Sequence, residues 1–106
     1  MKAKVFFERR ELRIILLIYG KMVSAGEWRD YAIDGLEDRA VFSIFRHASE
    51  RPLFQVEKRP DAQRTGLYVV CRGDGAILRR GQDLEEVLKV LEPRKLRLIG
   101  AKYSPA

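Results

Sequence analysis

The sequence predicts an α+β fold in which a helix, a five-stranded and mainly antiparallel sheet, a second helix and a basic tail follow one another. Three observations carry that expectation. Residues 12–23 repeat apolar side chains at helical spacing, residues 29–80 break into short strand-like runs separated by turn residues, and residues 84–91 return to helical spacing behind an aspartate.

Met1 to Phe7 form a lead-in that suits either an extra strand or a disordered end. From Glu8 to about Ser24, Leu12, Ile15, Leu16, Tyr19 and Val23 fall on one helical face. Ile14, Leu17 and Ile18 widen that surface, which implies cover on more than one side, by the sheet or by a second copy of the chain. Gly20 weakens the last turn by about 1 kcal/mol relative to alanine, and Ala25-Gly26 ends the helix.

Residues 29–34 and 39–46 read as strands joined by Gly35-Leu36-Glu37-Asp38. A four-residue loop there pairs Ile33 with Ala40, Tyr31 with Phe42 and Arg29 with Ile44, placing Tyr31, Ile33, Ala40, Phe42 and Ile44 on a core face. The opposite face carries Asp30, Asp34 and Ser43, but also Trp28, Val41 and Phe45, and is too apolar to be left to water. Leu53 to Arg59 alternate as a third strand. Leu67–Arg72 and Ala76–Arg80 make a hairpin around Gly73-Asp74-Gly75. A two-residue turn at Asp74-Gly75 pairs Arg72 with Ile77, Cys71 with Leu78, Val70 with Arg79 and Val69 with Arg80. Leu67, Val69, Cys71, Ala76 and Leu78 then face inward, with Tyr68, Val70, Arg72, Ile77 and Arg79 outward. A three-residue turn changes the pairing and moves Ile77 inward. Asp83 with Glu86 resembles a capping box ahead of Leu84, Val87, Leu88 and Leu91, and Pro93 stops the helix. Residues 8–93 are thus expected to be one domain. Residues 94–106 form a basic tail whose Arg94 to Ile99 alternate basic with apolar, like an edge strand or docking arm.

A length of 106 residues with 46% apolar side chains suits a single domain with its own core. The longest apolar run, Ile14 to Tyr19, falls far short of the roughly 20 residues a membrane span needs, and no leader pattern precedes it, so a cytoplasmic protein is expected. One cysteine and one histidine exclude an internal disulfide and a structural zinc site. The net charge of +6 is distributed in blocks of alternating sign. Residues 1–26, 58–82 and 94–106 each carry +4, and residues 27–57 and 83–93 each carry −3. Fourteen of the 21 basic residues are arginine, which favours anionic partners.

Candidates for chemistry are few. His47 near Ser43 or Ser49 reads as a solvated loop residue, and Cys71 as a small core side chain. Asp30, Asp34, Glu37 and Asp38 match no calcium-loop spacing, and Gly73-Asp74-Gly75 and Arg80-Gly81 lack the context of a nucleotide loop. No catalytic residue, cofactor or metal is therefore assigned. What remains is an arginine and tyrosine combination on an antiparallel sheet. Tyr68, Arg72 and Arg79, flanked by Lys58, Arg59, Arg64 and Arg80 and extended by Arg94, Lys95 and Arg97 in the tail, suggest stacking on bases and contact with phosphates. The expected function is a non-catalytic binding module for RNA or DNA. The alternative is a protein-interaction or homodimerisation module using Trp28, Val41 and Phe45, and an enzyme comes third.

The segment EWRDYAIDGLEDRAVFSIFRHASERPLFQVEKRP, preceded by ELRIILLIYGKMVSAG and followed by GAILRRGQDLEEVLKVLEP, resembles a family of short alphaproteobacterial proteins classed as a domain of unknown function. The resemblance spans about Phe7 to Pro93. It implies a small bacterial cytosolic protein that usually stands alone, and it brings no activity, cofactor or catalytic residue with it.

Overall fold

The computed structural model describes residues 3–47, 51–62 and 64–92. Helix α1 spans Arg9–Ser24. Its first turn is fixed by Glu11, whose carboxylate accepts the Glu8 amide at 2.6 Å, in the manner of a capping box. At its other end the Ala25, Gly26, Glu27 and Trp28 amides take the last carbonyls, and Gly26 adopts the positive φ of +78° that turns the chain toward the sheet. Glu11, Ile15 and Met22 are buried, with Leu12, Ile14, Ile18 and Tyr19 packed against the core. This differs from the expected stripe, since Leu16 and Val23 are exposed. The reason lies in the second helix, toward which Ile14 and Ile18 turn, so the buried side of α1 is rotated away from the centre of its apolar pattern.

Five strands follow: β1 (Asp30–Gly35), β2 (Ala40–Phe45), β3 (Phe54–Lys58), β4 (Tyr68–Arg72) and β5 (Ile77–Gly81). They pair antiparallel in chain order, with a 3-10 turn at Pro60–Ala62 between β3 and β4. Helix α2 (Leu84–Leu88) runs on into a 3-10 turn at Lys89–Leu91. Its aspartate cap is as expected, since Asp83 Oδ1 accepts the Glu85 amide at 3.0 Å. The α+β architecture predicted from the sequence is therefore present, and both helices share one core on one side of the sheet. That core joins Ile15 and Met22 of α1 and Leu84, Val87 and Leu88 of α2 to Phe42, Ile44, Phe54, Val56 and Val70.

The first hairpin pairs Ile33 with Phe42 and Tyr31 with Ile44, two residues away from the expected register. The turn is tighter than anticipated, because the Leu36 amide bonds to the Arg39 carbonyl at 2.8 Å and leaves Glu37-Asp38 as the tip. A shift of two preserves parity, so Tyr31, Ile33, Ala40, Phe42 and Ile44 still share a face, but only the three β2 residues are core, and Tyr31 and Ile33 on the edge strand are exposed, contrary to expectation. In the second hairpin Val70–Arg79 and Val69–Arg80 pair as expected, but the Arg72 amide bonds to the Ala76 carbonyl at 2.8 Å, so the turn holds three residues, Cys71 pairs with Ile77 in place of Leu78, and Ile77 stays exposed. Leu78 is left as the extra residue of a bulge and packs against the core.

One assignment is reversed. Tyr68 and Val70 belong to the face beneath the helices, whereas Val69 and Cys71, expected inward, lie on the far side. Both parities of β4 are apolar, so alternation alone does not say which face the helices cover. The far side is not bare either. Val41, Ser43, Val69 and Cys71 are buried there, Arg39 and Arg59 reach Glu57, and Gln55 Nε2 donates to Ser43 Oγ at 3.1 Å. The docking arm expected at residues 94–99, like the rest of the tail, lies outside the described residues.

Two glycines separate helix propensity from steric need. Gly20 is exposed with no heavy atom within 4 Å of an added Cβ, so Gly20→Ala should stabilise the protein by about 1 kcal/mol. At Gly73 the Pro52 carbonyl oxygen occupies the place a Cβ would take, and Gly73→Ala should cost roughly 1–3 kcal/mol. Urea unfolding checks both, and equal midpoints for the two variants would contradict this account.

Candidate functional site

The register does bring Tyr68, Arg72 and Arg79 to one face, but it is the face under the helices. Tyr68 is only 3% exposed, and its hydroxyl donates to the Glu11 carboxylate. Lys58, paired with Tyr68 across β3 and β4, reaches the same carboxylate at 2.9 Å and the Phe6 carbonyl oxygen at 3.3 Å. Neither residue is presented to a ligand. Together with the Glu8 amide they satisfy a carboxylate that is 1% exposed in the apolar interior.

The other expected phosphate contacts are dispersed. Arg72 Nη2 is 2.8 Å from Asp74 and Arg79 Nη2 is 3.7 Å from Glu86 on α2. Arg59, on the opposite face, is 2.6 Å from Glu57. Arg64 and Arg80 are exposed and have no carboxylate partner among the described residues. Arg94, Lys95 and Arg97 lie outside the described residues. A stacking platform centred on Tyr68 is thus replaced by a structural contact to α1. The sequence carried one signal for this, the Glu8-to-Glu11 spacing that suits a capping box.

The expected protein interface is also redistributed. Trp28 is 3% exposed and packs against Tyr19 and Phe54 with ring centroids 6.0 and 6.2 Å away, so it is core. It lies before β1, where strand alternation no longer governs its direction. Val41 is buried on the far face of the sheet and Phe45 is half-buried. Uncovered apolar surface appears instead on α1 and along β1. Leu17 is 68% exposed, and Leu16, Val23, Tyr31, Ile33, Phe6 and Leu36 are exposed as well. Tyr31 stacks on Phe42 at 4.9 Å and meets the edge of the Tyr19 ring at 5.0 Å, linking the two surfaces.

Between α1 and α2 runs a groove of about 350 Å³ floored by Ile14, Ile18, Met22 and Leu88. Leu17 and Lys21 form its α1 wall, and Glu85, Lys89 and Glu92 form the other. Lys89 is held by Glu86 at 2.9 Å and also feels the charge of Glu92, while Lys21, Glu85 and Glu92 form no salt bridge among the described residues.

Elsewhere the chemistry is quiet. Burial, followed by the charge of Glu57, pushes the Cys71 thiol up, away from the thiolate form a nucleophile needs. Among the described residues no three His, Cys, Asp or Glu side chains are grouped so as to hold a metal, and no helix is long and apolar enough to cross a membrane.

A small meander sheet with both helices on one side, a buried carboxylate lock and an uncovered helix surface define an α+β domain. The chain belongs to the family described as Protein of unknown function (DUF2794), whose model matches residues 5–88. Comparison with curated proteins and with solved structures yields no match.

The carboxylate lock gives the stability a pH signature at both ends. Burial raises the Glu11 carboxyl, but hydrogen bonds from Tyr68, the Glu8 amide and Lys58 outweigh it and hold it below the usual range. Its contribution is present above the unfolded value of 4.5 and is lost as the pH falls through the lower folded value. Burial and then Glu11 push Tyr68 from 10.0 up to about 12, so its contribution is present below 10.0 and is lost as the pH rises toward 12. Thermal melts of Tyr68→Phe should show a smaller alkaline loss than the parent, the remainder coming from groups such as Tyr19, which burial also pushes up. Glu11→Gln, leaving Lys58 only the exposed Glu8 carboxylate at 3.8 Å, should cost roughly 3 kcal/mol near neutral pH.

Proposed function

We propose that this protein is a non-catalytic interaction module that self-associates through the outer surface of α1 and α2. The observation that carries this reading is the groove between them, where apolar floor, exposed Leu17 and unpaired charge of opposite sign on the two walls occur together. Lys21 stands on the α1 side and Glu85 and Glu92 on the α2 side. A two-fold axis along the groove sets each α1 wall against the partner's α2 wall, so Lys21 of one copy meets the acidic pair of the other. An isologous contact of this kind is complementary to itself. The apolar surface continuing to Leu16, Tyr31 and Ile33 supplies further area to bury.

Binding of RNA or DNA, the first expectation from the sequence, draws less support. It is left with Arg64, Arg80 and the tail cations, and an oligonucleotide titration at low and high salt tests it.

Sedimentation of the full chain over a range of concentrations tests self-association. A concentration-dependent dimer is expected, and Leu17→Asp should dissociate it. Lys21→Glu should weaken it, and adding Glu85→Lys and Glu92→Lys to that variant should restore it by exchanging the two signs. A monomer at high concentration, or a dimer indifferent to all of these changes, would overturn the reading.

A further inference from the structure

Strand β1 is an edge of the sheet, and its outer rim is unpaired among the described residues. The Leu36 amide bonds to the Arg39 carbonyl, and the pairs Asp34 with Val41 and Ala32 with Ser43 continue that ladder in steps of two, so the amides and carbonyls of Tyr31 and Ile33 point away from β2. Among the described residues no hydrogen bond reaches these outward groups. The lead-in touches the strand at its far end, where the Val5 amide bonds to the Leu36 carbonyl at 2.7 Å. A rim of this kind is a template for one more strand.

The two sides of β1 make different demands on that strand. Tyr31 and Ile33 lie on the helix side and are exposed, with Tyr31 stacked on Phe42 and set against Tyr19 of α1. Asp30 and Asp34 lie on the other side, are exposed, and form no salt bridge among the described residues. The incoming strand must therefore be apolar at one parity and cationic at the other. A second copy of β1 fails this test, because it would bring aspartates alongside aspartates on one face. Residues 94–99 meet it. Lys95 and Arg97 alternate with Leu96 and Leu98, so a strand that sets the leucines beside Ile33 and Tyr31 sets the cations on the side of Asp30 and Asp34. The opposite edge, β5, carries Arg79 and Arg80 and repels the same segment.

The chain's own tail falls short of β1. Glu92 stands on the α2 wall of the groove, and α1 lies between it and β1. Residues 93–95 span at most about 10 Å, less than the way around a helix about 10–12 Å across. We infer that residues 94–99 of a second copy add to β1 as a further strand, so that the dimer exchanges its arms reciprocally. This deepens the self-association proposed above and rests on it, since there Glu92 of the other copy stands against Lys21 and its arm starts on the outer side of α1.

Amide hydrogen exchange of the full chain at dimer-forming concentration reads the rim directly. The Tyr31 and Ile33 amides should exchange more slowly than in the triple variant Arg94→Glu, Lys95→Glu, Arg97→Glu, by roughly fivefold. A synthetic peptide of residues 94–106 separates the arm from the groove. Added to Leu17→Asp, in which the groove contact is broken, it should protect the same two amides saturably. The double variant Asp30→Lys, Asp34→Lys, altered only at exposed positions, should bind the peptide roughly fivefold more weakly. A peptide with glutamate at positions 94, 95 and 97 should bind that double variant better than the original peptide does. A dimeric parent whose Tyr31 and Ile33 amides exchange as fast as in the triple variant sinks the arm exchange and leaves the groove contact standing. A monomeric parent whose two amides the peptide still protects sinks the groove contact and supports the pairing of residues 94–99 with β1. No protection by the peptide, or protection indifferent to Asp30 and Asp34, would overturn the assignment.

Discussion

The buried Glu11 carboxylate is the contact on which the arrangement of the molecule depends. It sits on the sheet-facing side of α1 and is held by the Tyr68 hydroxyl, the Lys58 ammonium and the Glu8 amide. Two of those partners come from adjacent strands, so the helix is tied to β3 and β4 at one rotational setting. Turning α1 to bury Leu16 and Val23 would swing Glu11 away from Lys58 and Tyr68. The cost would be an unpaired ammonium and a phenol without its acceptor in an apolar layer. A carboxylate that fits only one rotation therefore selects that rotation, and the selection leaves Leu17 pointing outward.

Much of the fold could be read from the sequence because it rests on local rules. Helical spacing located α1, and an aspartate ahead of Leu84, Val87 and Leu88 located α2. In the first hairpin the register was displaced by two but the face survived, since strand parity is insensitive to an even shift. The misreadings occur where local pattern is silent. Alternating Tyr68, Val69, Val70 and Cys71 gives two apolar faces, and only the docking of the helices decides between them. Trp28 looked like a surface anchor because strand alternation was extended past the start of β1 to a residue that turns under α1.

The candidate sites were less legible than the fold for a related reason. Cations close together in sequence suggested one positive platform, yet Arg59 and Arg72 pair with carboxylates two residues away and Lys58 and Arg79 with carboxylates brought near by tertiary structure. Lys58 meets Glu11 from 47 residues away, while Arg79 meets Glu86 across the gap between β5 and α2. Net charge survives this pairing, but a contiguous positive face built around Tyr68 does not. The apolar surplus of α1, read as a sign of cover by the sheet or by a second copy of the chain, is met in part by the sheet and α2 and leaves Leu16, Leu17 and Val23 exposed.

What distinguishes the proposed groove from the rest of the surface is incomplete pairing. Where a cation has a carboxylate neighbour, as Arg59 has Glu57 and Arg72 has Asp74, its field is largely spent inside the molecule. At the groove, Lys21 and the opposing Glu85 and Glu92 stand on separate walls, so a second copy in two-fold orientation offers each the opposite charge.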